Sequence, residues 1–340
     1  MTRPKKTNSK NTSIKDVARL SGVSISTVSR VINKFPSVKE KHRIKVLEAV
    51  SELKFQPSVF AQRLATGRSN VVALVIPRYE GMFYSFYVLE LIRGIGTLCE
   101  ALKLDLLLHI IDSKLSFNFK GIGGIIFADI IANRHQVEEA LDSSIPLVVI
   151  NNNVLDLEVT CLSLDNQGGA LKAVEYLIGL GHKKIAHISG DMITQAAVQR
   201  LDGYKQALKK SKISLSDDYI IKTDYSRGQA RTAAEKLITM QERPTAVFVA
   251  SDSMALEVMT VAMEAGLKIP ADLSVVGFDD NPSGLYGPVS LTTVRQPLVK
   301  MAQDAVKELN ILIDPKQEHK VKKIVIPTEL VIRESCSTLK

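Results

Sequence analysis

From residue 71 onward the chain alternates between short apolar runs and longer stretches where apolar residues return every third or fourth position. The runs fall at 71–76, 104–110, 122–127, 147–150, 184–188, 245–250 and 274–278. Unbroken runs of this length predict strands buried on both faces. The stretches between them, 88–102, 133–141, 168–180, 195–209, 227–240 and 253–265, predict amphipathic helices. Strand then helix, repeated, means parallel sheets covered on both sides. The pattern runs for about 270 residues, more than one such sheet usually needs. Two sheets of similar size are expected, with a cleft between them. Ligands of open α/β sheets sit beyond the carboxyl ends of the strands. That points to Arg78, Asn151, Asp191, Ser251 and Asp279.

The first 70 residues follow a different rule. In SIKDVARLSGVSISTVSRVIN, Ile14, Val17, Ala18 and Leu20 mark the inner face of a first helix. Gly22 is placed to end it in a left-handed conformation. Ser24 then stands where an N-cap belongs, before a second helix over 25–32. Val28, Val31 and Ile32 point inward on that helix, and Ser26, Thr27, Ser29, Arg30 and Asn33 outward. Hydroxyls, one Arg and one Asn on an exposed helix face can bond base edges and phosphates. A solvated pair of helices used only for packing is the plainer alternative. A third helix over 38–53 is expected to bury Val38, Ile44, Leu47, Val50 and Leu53. Residues 58–64 (SVFAQRL) have helical periodicity but are too short to be stable alone.

Charge favours the nucleic-acid reading. Residues 1–70 hold 15 Lys or Arg against four Asp or Glu, a net +11, while the remaining 270 carry 29 against 32, a net −3. The basic excess lies entirely beside the helix pair, as phosphate neutralisation requires. No apolar run approaches the length that spans a bilayer, and the basic N-terminus lacks an apolar core, so a cytoplasmic protein is expected. Three widely spaced cysteines (Cys99, Cys161 and Cys336) fit free thiols in a reducing compartment. Neither a phosphate-binding loop nor a dinucleotide fingerprint follows any strand, since Gly94 and Gly96 sit inside a predicted helix. The six histidines have no metal-ligand spacing. His182 belongs to a turn before a strand. No enzyme, cofactor or metal is expected.

In order along the chain stand SIKDVARLSGVSISTVSRVIN, VLEAVSELKFQPSVFAQRLATGRSN, QRLDGYKQAL, ASDSMALEVM, IPADLSVVGFDDNP, LTTVRQP and IPTELVIRES. By these motifs the chain resembles the LacI/GalR family of transcriptional regulators over nearly its whole length. The resemblance implies an α/β protein: an all-α helix-turn-helix head plus a periplasmic-binding-protein-like body of two doubly wound parallel-sheet subdomains. The expected division is a basic arm over 1–12, a DNA-binding domain over 13–57, and a hinge helix with linker over 58–70. An N-terminal subdomain follows over 71–164 plus 297–326, and a C-terminal one over 165–296 plus 327–340. A homodimer on a near-palindromic operator is also implied, since one short helix reads too few bases for a unique site.

Site residues carry over by position. Ile25, Ser26 and Arg30 match base-reading positions, with Arg30 suited to guanine through its bidentate fork. Ser13, Thr27, Ser29 and Asn33 match phosphate contacts. Ala61 and Leu64 match the hinge, where the family wedges a leucine into the minor groove. Packing of Leu64 onto the body is the alternative. Arg200, Asp279 and Gln296 match effector-contacting positions, Tyr225 stands where the family often has an aromatic ring against the ligand, and the strand-end residues Arg78, Asn151 and Ser251 join them as candidates. Bracing ion pairs or caps are the plainer roles for Arg200 and Asp279. Asn151 and Ser251 stand where the family often has Asp and Asn, which leaves the effector class open beyond sugar-like or nucleoside-like.

Two departures stand out. Only residues 112–121 (DSKLSFNFKG) connect the second and third strands of the body, too few for a full crossover helix. The aromatic residues Phe83, Tyr84, Phe86, Tyr87, Phe117 and Phe119 are expected either to fill that gap or simply to pack in the core. The end of the chain carries no leucine heptad, so a dimer is expected rather than a tetramer. A repressor under small-molecule control is the leading expectation. The alternative keeps the DNA head and replaces the effector by a protein partner or by none. A solute receptor would explain the body but not the basic head.

Overall fold

Ser13 opens the first helix, α1 (Ile14–Ser21), by donating its N–H and its hydroxyl to the Asp16 carboxylate at 3.0 and 2.7 Å. Gly22 ends the helix at φ 64, a conformation that costs a glycine little. Ser24 then caps α2 (Ile25–Ile32), its Oγ accepting the Thr27 N–H at 3.2 Å. With α3 (Glu40–Glu52) these helices enclose one small core of Val17, Ala18, Val28, Val31, Val46, Ala49 and Phe55. Two expectations need correction. Leu20 is 46% exposed, and Ile44 and Leu47 on α3 are exposed rather than buried. So small a unit has a single core, and α3 meets it along Val46, Ala49, Val50 and Leu53. Ile44 and Leu47 are turned away from that stripe by the 3.6-residue period.

This computed structural model describes residues 12–33, 35–55, 69–79, 81–111, 118–131, 133–314 and 316–339. It divides into two units, Met1–Asn70 and Val71–Lys340. The expected hinge positions Ala61 and Leu64, the arm up to residue 11, and residues 112–117 with Phe117 lie outside the described residues.

The body runs β1 (Val71–Pro77), α4 (Phe86–Ala101), β2 (Asp105–Ile111), β3 (Gly124–Ala128), α5 (Arg134–Asp142), β4 (Leu147–Ile150) and β5 (Thr160–Leu164). It continues with α6 (Asn166–Gly179), β6 (Ile185–Ser189), α7 (Gln195–Lys210), β7 (Ile220–Lys222), α8 (Arg227–Thr239), β8 (Ala246–Val249), α9 (Asp252–Glu264) and β9 (Ser274–Val276). The last elements are β10 (Thr293–Arg295), α10 (Leu298–Ile313), β11 (Lys323–Ile326) and β12 (Glu329–Val331). One parallel sheet has the order β11-β5-β4-β3-β1-β2, a second has the order β7-β6-β8-β9, and β10 pairs antiparallel with β12.

The sheets are therefore unequal, six strands against four, because the late strand β11 crosses back to extend the first. Apolar periodicity does not mark β5, β7, β10, β11 or β12. Three of these have only three residues, and β5 buries Thr160 and Ser163 among its apolar positions.

Both sheets are covered on two faces. In the first, Leu74, Ile76, Leu91, Ile95, Met301 and Leu309 pack on one side, and Ala73, Val75, Phe127 and Val137 on the other. In the second, alanines of α8 and methionines of α9 cover one side, and α6 and α7 bury Tyr204, Phe248 and Phe278 on the other. The aromatic residues near 83–87 do not form one cluster. Phe83 and Tyr84 are exposed, Phe86 and Tyr87 pack on the first core, and Phe119 packs on the opposite face. Residues 118–123 carry turn and irregular backbone, with no helix.

Close helix packing supplies a test of this arrangement. A Cβ on Gly94 of α4 would lie 2.8 Å from the Val299 carbonyl oxygen and 2.7 Å from Ala302 Cβ on α10, whereas one on Gly96 would meet nothing nearer than 4.0 Å. Gly94→Ala is expected to destabilise the body by about 1–3 kcal/mol through overpacking. Gly96→Ala is expected to be neutral or to stabilise by up to about 1 kcal/mol through helix propensity. Urea unfolding of the two variants beside the parent decides it, and equal midpoints would contradict the packing.

Candidate nucleic-acid interface and effector cleft

On the outer side of α2, Ile25 is 46% exposed, and Ser26 and Arg30 are exposed with it. Arg30 makes no ion pair among the described residues, so its fork is available to a partner. Ser24 organises the start of the helix: its Oγ lies 2.8 Å from both the Ser26 and the Thr27 hydroxyls. The expected phosphate contacts divide. Ser13 is exposed but tied to Asp16. Thr27, Ser29 and Asn33 are half-buried, and the Asn33 amide donates to Ser29 Oγ at 3.4 Å.

In the body, Arg200 is the centre of the polar cluster at the strand ends. It is 5% exposed. Its Nε donates to Asn166 Oδ1 at 3.0 Å, Nη1 to the Ala250 carbonyl at 2.6 Å, and Nη2 to Gln296 Oε1 at 3.3 Å. Its guanidinium carbon lies 3.9 Å above the Phe278 ring, a favourable cation–π geometry. Gln296 donates its own amide to Asp279. Burial raises the Asp279 pKa, and the Arg200 charge opposes the rise. Asp252, next to Asp279, is also pushed up, by its burial and by that neighbour's charge. Its carboxylate accepts from the Thr293 hydroxyl at 2.5 Å and the Asn281 N–H at 2.7 Å.

A second group faces these residues from the first sheet. Asn151 follows β4 and donates through Nδ2 to Asp129 Oδ1 at 2.6 Å, Asp129 itself following β3. Burial pushes the Asp129 carboxyl up to about 6, against the pull of the Asn151 bond, the Tyr87 hydroxyl and the Arg200 charge. The Tyr87 hydroxyl is buried beside Asp129 and Asn151 in a geometry that completes no full hydrogen bond. Tyr225, past β7, lies within electrostatic reach of Arg200, Asp279 and Asp129. Its ring lies against Gly190, where a Cβ would fall 1.8 Å from the ring. Asn153 and Gln195 tie the two sides through reciprocal bonds of 2.7 and 3.2 Å. Asp129, Asn151, Tyr225 and Asp279 all have positive φ (68, 64, 67 and 137°). Such strain in non-glycine residues is held in place only where the surroundings over-determine it.

Of the expected effector residues, Arg200, Gln296 and Asp279 form one bonded chain, and Asn151 and Tyr225 face it. Ser251 is spent on capping α9, accepting the Met254 N–H at 3.4 Å. Arg78 is exposed and lines a separate recess of about 270 Å³ with Tyr79, Phe83 and Tyr84. Asp191 organises its own loop, accepting the Ile193 N–H at 3.1 Å. His182 bridges Thr245 and the Ser337 carbonyl, a structural staple. Sequence reasoning missed Asp129, Tyr87, Asn166 and Asp252. Asp129 obeys the strand-end rule that found Asn151, but β3 ends at Ala128, one residue later than its apolar run suggests.

Comparison with known proteins gives a consistent result. Residues 13–58 match the model of bacterial regulatory proteins of the lacI family, and residues 174–336 match a periplasmic binding protein-like domain. Catabolite control protein A of Priestia megaterium is 35% identical over 313 residues, covering 88% of this chain and 92% of its own. The chain belongs to the LacI family. Its fold is similar to that of the Lac repressor dimer bound to operator and the anti-inducer ONPF, with TM-score 0.83, 26% identity, and coverage of 97% of this chain and 100% of that one. The transcriptional regulator CelR in complex with cellobiose aligns with TM-score 0.72, 26% identity, and coverage of 95% and 99%. The protein is thus a DNA-binding transcriptional regulator and not an enzyme. No helix among the described residues is long and apolar enough to cross a membrane.

Asp129 gives this LacI-family body a pH signature. A folded-state pKa of about 6 against the ordinary carboxyl value of 3.8 means the folded protein holds the proton more tightly than the unfolded chain. That contribution is full below pH ~4 and is lost as pH rises through ~6. A shift of about two units corresponds to roughly 3 kcal/mol. Asp129→Asn keeps an acceptor for Asn151 and removes the titration. Its melting temperature is expected to exceed the parent's by clearly more at pH 8 than at pH 4.5. Parallel curves at the two pH values would show that Asp129 is not held as a strained buried charge.

Proposed function

We propose that the protein is a repressor that binds a near-palindromic operator as a homodimer. A small-molecule effector, sugar-like or nucleoside-like, would bind in the cleft between the two body subdomains and set its grip. The observation that carries the DNA part is the exposed triad Ile25, Ser26 and Arg30 on a helix fixed at its start by Ser24. The effector part rests on the polar cluster around Arg200 and Asp129, built from both sheets. Ligands of the two similar structures, cellobiose and ONPF, suit a site of that kind.

Control follows from differential affinity. An effector that favours one arrangement of the two subdomains shifts the population toward it. The Asn153–Gln195 pair, which joins the subdomains, belongs to one such arrangement. A body emptied of ligand function, with control passing to a protein partner, fits less well, because Asn151 Oδ1 is buried there without a partner.

Operator binding tests the reading. Arg30→Ala is expected to weaken specific binding about ten- to hundredfold, as the loss of a bidentate base contact does, and to leave non-specific binding nearly unchanged. Leu64→Ala is expected to lose specific affinity as well, through the minor groove. Parent affinity should fall steeply with salt. If both variants bind operator like the parent in a fluorescence titration, the assignment of the DNA-reading residues fails.

A further inference from the structure

Asp129 carries more information than its pKa. Asp129 is half-buried, and the Asn151 amide is its one full hydrogen-bond donor among the side chains described. Asn151 is 9% exposed, and its Oδ1 meets no donor. A buried carbonyl left unpaired costs about 1–3 kcal/mol, so such a group is expected to have a partner in the working state. Two acceptors therefore stand side by side, one of them charged.

No protein cation serves them. Arg200 acts on Asp129 only at a distance, and each of its three nitrogens already donates to Asn166, Ala250 or Gln296. Three of its five N–H groups are so engaged, which leaves two for hydroxyls elsewhere on an effector. The Tyr87 hydroxyl, in the first turn of α4, lies beside Asp129 and Asn151 and completes a full hydrogen bond to neither. Burial and the Asp129 charge both hold that phenol in its neutral form. A carboxylate and an unpaired carbonyl both attract a cation where water is scarce. A ligand carboxylate or phosphate would meet Asp129, the unpaired Asn151 oxygen and Asp279, all of which repel it.

We propose that the cleft recognises an amine-bearing effector, whose ammonium group donates to Asp129 and Asn151 Oδ1 beside the Tyr87 hydroxyl. This rests on the reading of the cleft as an effector site. It adds a recognition residue, Asp129, and a charge class.

Calorimetric titration of the full-length protein at pH 7.5 tests it with three probe series of matched stereochemistry. These are the hexosamines (D-glucosamine, D-galactosamine and D-mannosamine), the neutral hexoses and the hexuronates. At least one hexosamine should bind, with its uronate counterpart weaker by about ten- to hundredfold, the range of a charge-assisted hydrogen bond. Asp129→Asn should weaken the amine by a similar factor while its melting curve stays cooperative. Asn151→Gly, which removes the second acceptor at a positive φ that suits glycine, should weaken it several-fold and serves if the first variant fails to fold. Uronate binding equal to amine binding, absence of binding by all three hexosamines, or unchanged amine affinity in both variants would each overturn the proposal. Operator affinity measured on the same samples separates the two readings. A protein that binds operator and is released by a uronate keeps its place as an effector-controlled repressor while losing the amine.

Discussion

A guanidinium keeps its charge even where little water reaches, so its N–H groups need acceptors there. Arg200 finds acceptors for three of its five N–H groups on three separate stretches of chain. Asn166 stands at the first passage between the sheets, Ala250 at the end of β8, and Gln296 at the second passage, with the Phe278 ring beneath. Satisfying one side chain therefore fixes α6, α7, β8 and the β10–α10 connection relative to one another. The order of elements is what allows it. The chain leaves the first sheet after β5, builds the second, returns through α10 and β11, and crosses again to β12. Removing the acceptors would cost more than the bonds are worth, because an unpaired buried charge is left behind.

That arrangement also explains the cleft's excess of acid. Arg200, tied to the scaffold by three bonds, is left to answer Asp129 and Asp279 at once, and burial raises the pKa of both and of Asp252. A fold selected only for stability would not keep such groups, nor four non-glycine residues in positive φ, in one place. Strained and poorly compensated positions gather where a ligand supplies the missing interactions. The charge class proposed for the effector follows from this imbalance rather than from any single contact.

Legibility in the sequence followed the strength of the physical signal. The long helices and the central strands were readable because burial on two faces leaves unbroken apolar runs. The short strands β7, β10 and β12 were not, since three residues carry no period. In the head, Ala49 gives almost no apolar signal beside Ile44 and Leu47, so those two were read into the stripe of α3 together with Val50 and Leu53, which do pack. Arg200, Asp279 and Gln296 were found through motif position. Asp129 and Asn166 were not, because their roles depend on which strand ends the topology brings together. No local pattern states that Asn166 and Arg200, 34 residues apart, will share a bond.

One helix joins the ligand-facing cluster to the opposing subdomain. α7 begins with Gln195, which exchanges two hydrogen bonds with the Asn153 backbone across the cleft, and five residues later carries Arg200. Gln199 between them accepts from Asn166 at 3.3 Å. A helix of 16 residues with Gly203 set against the Gln167 carbonyl has little freedom to bend. A ligand that displaces Tyr225 from Gly190, or draws Asp129 toward itself, acts on the same few turns that hold the two halves together. Packed elements of this kind switch between discrete arrangements instead of deforming gradually. In the proposed repressor, then, the residues that sense the effector and the residues that set the angle between subdomains are neighbours on one rigid rod. A change of about one side chain's size in the cleft therefore reaches the whole body without any longer path.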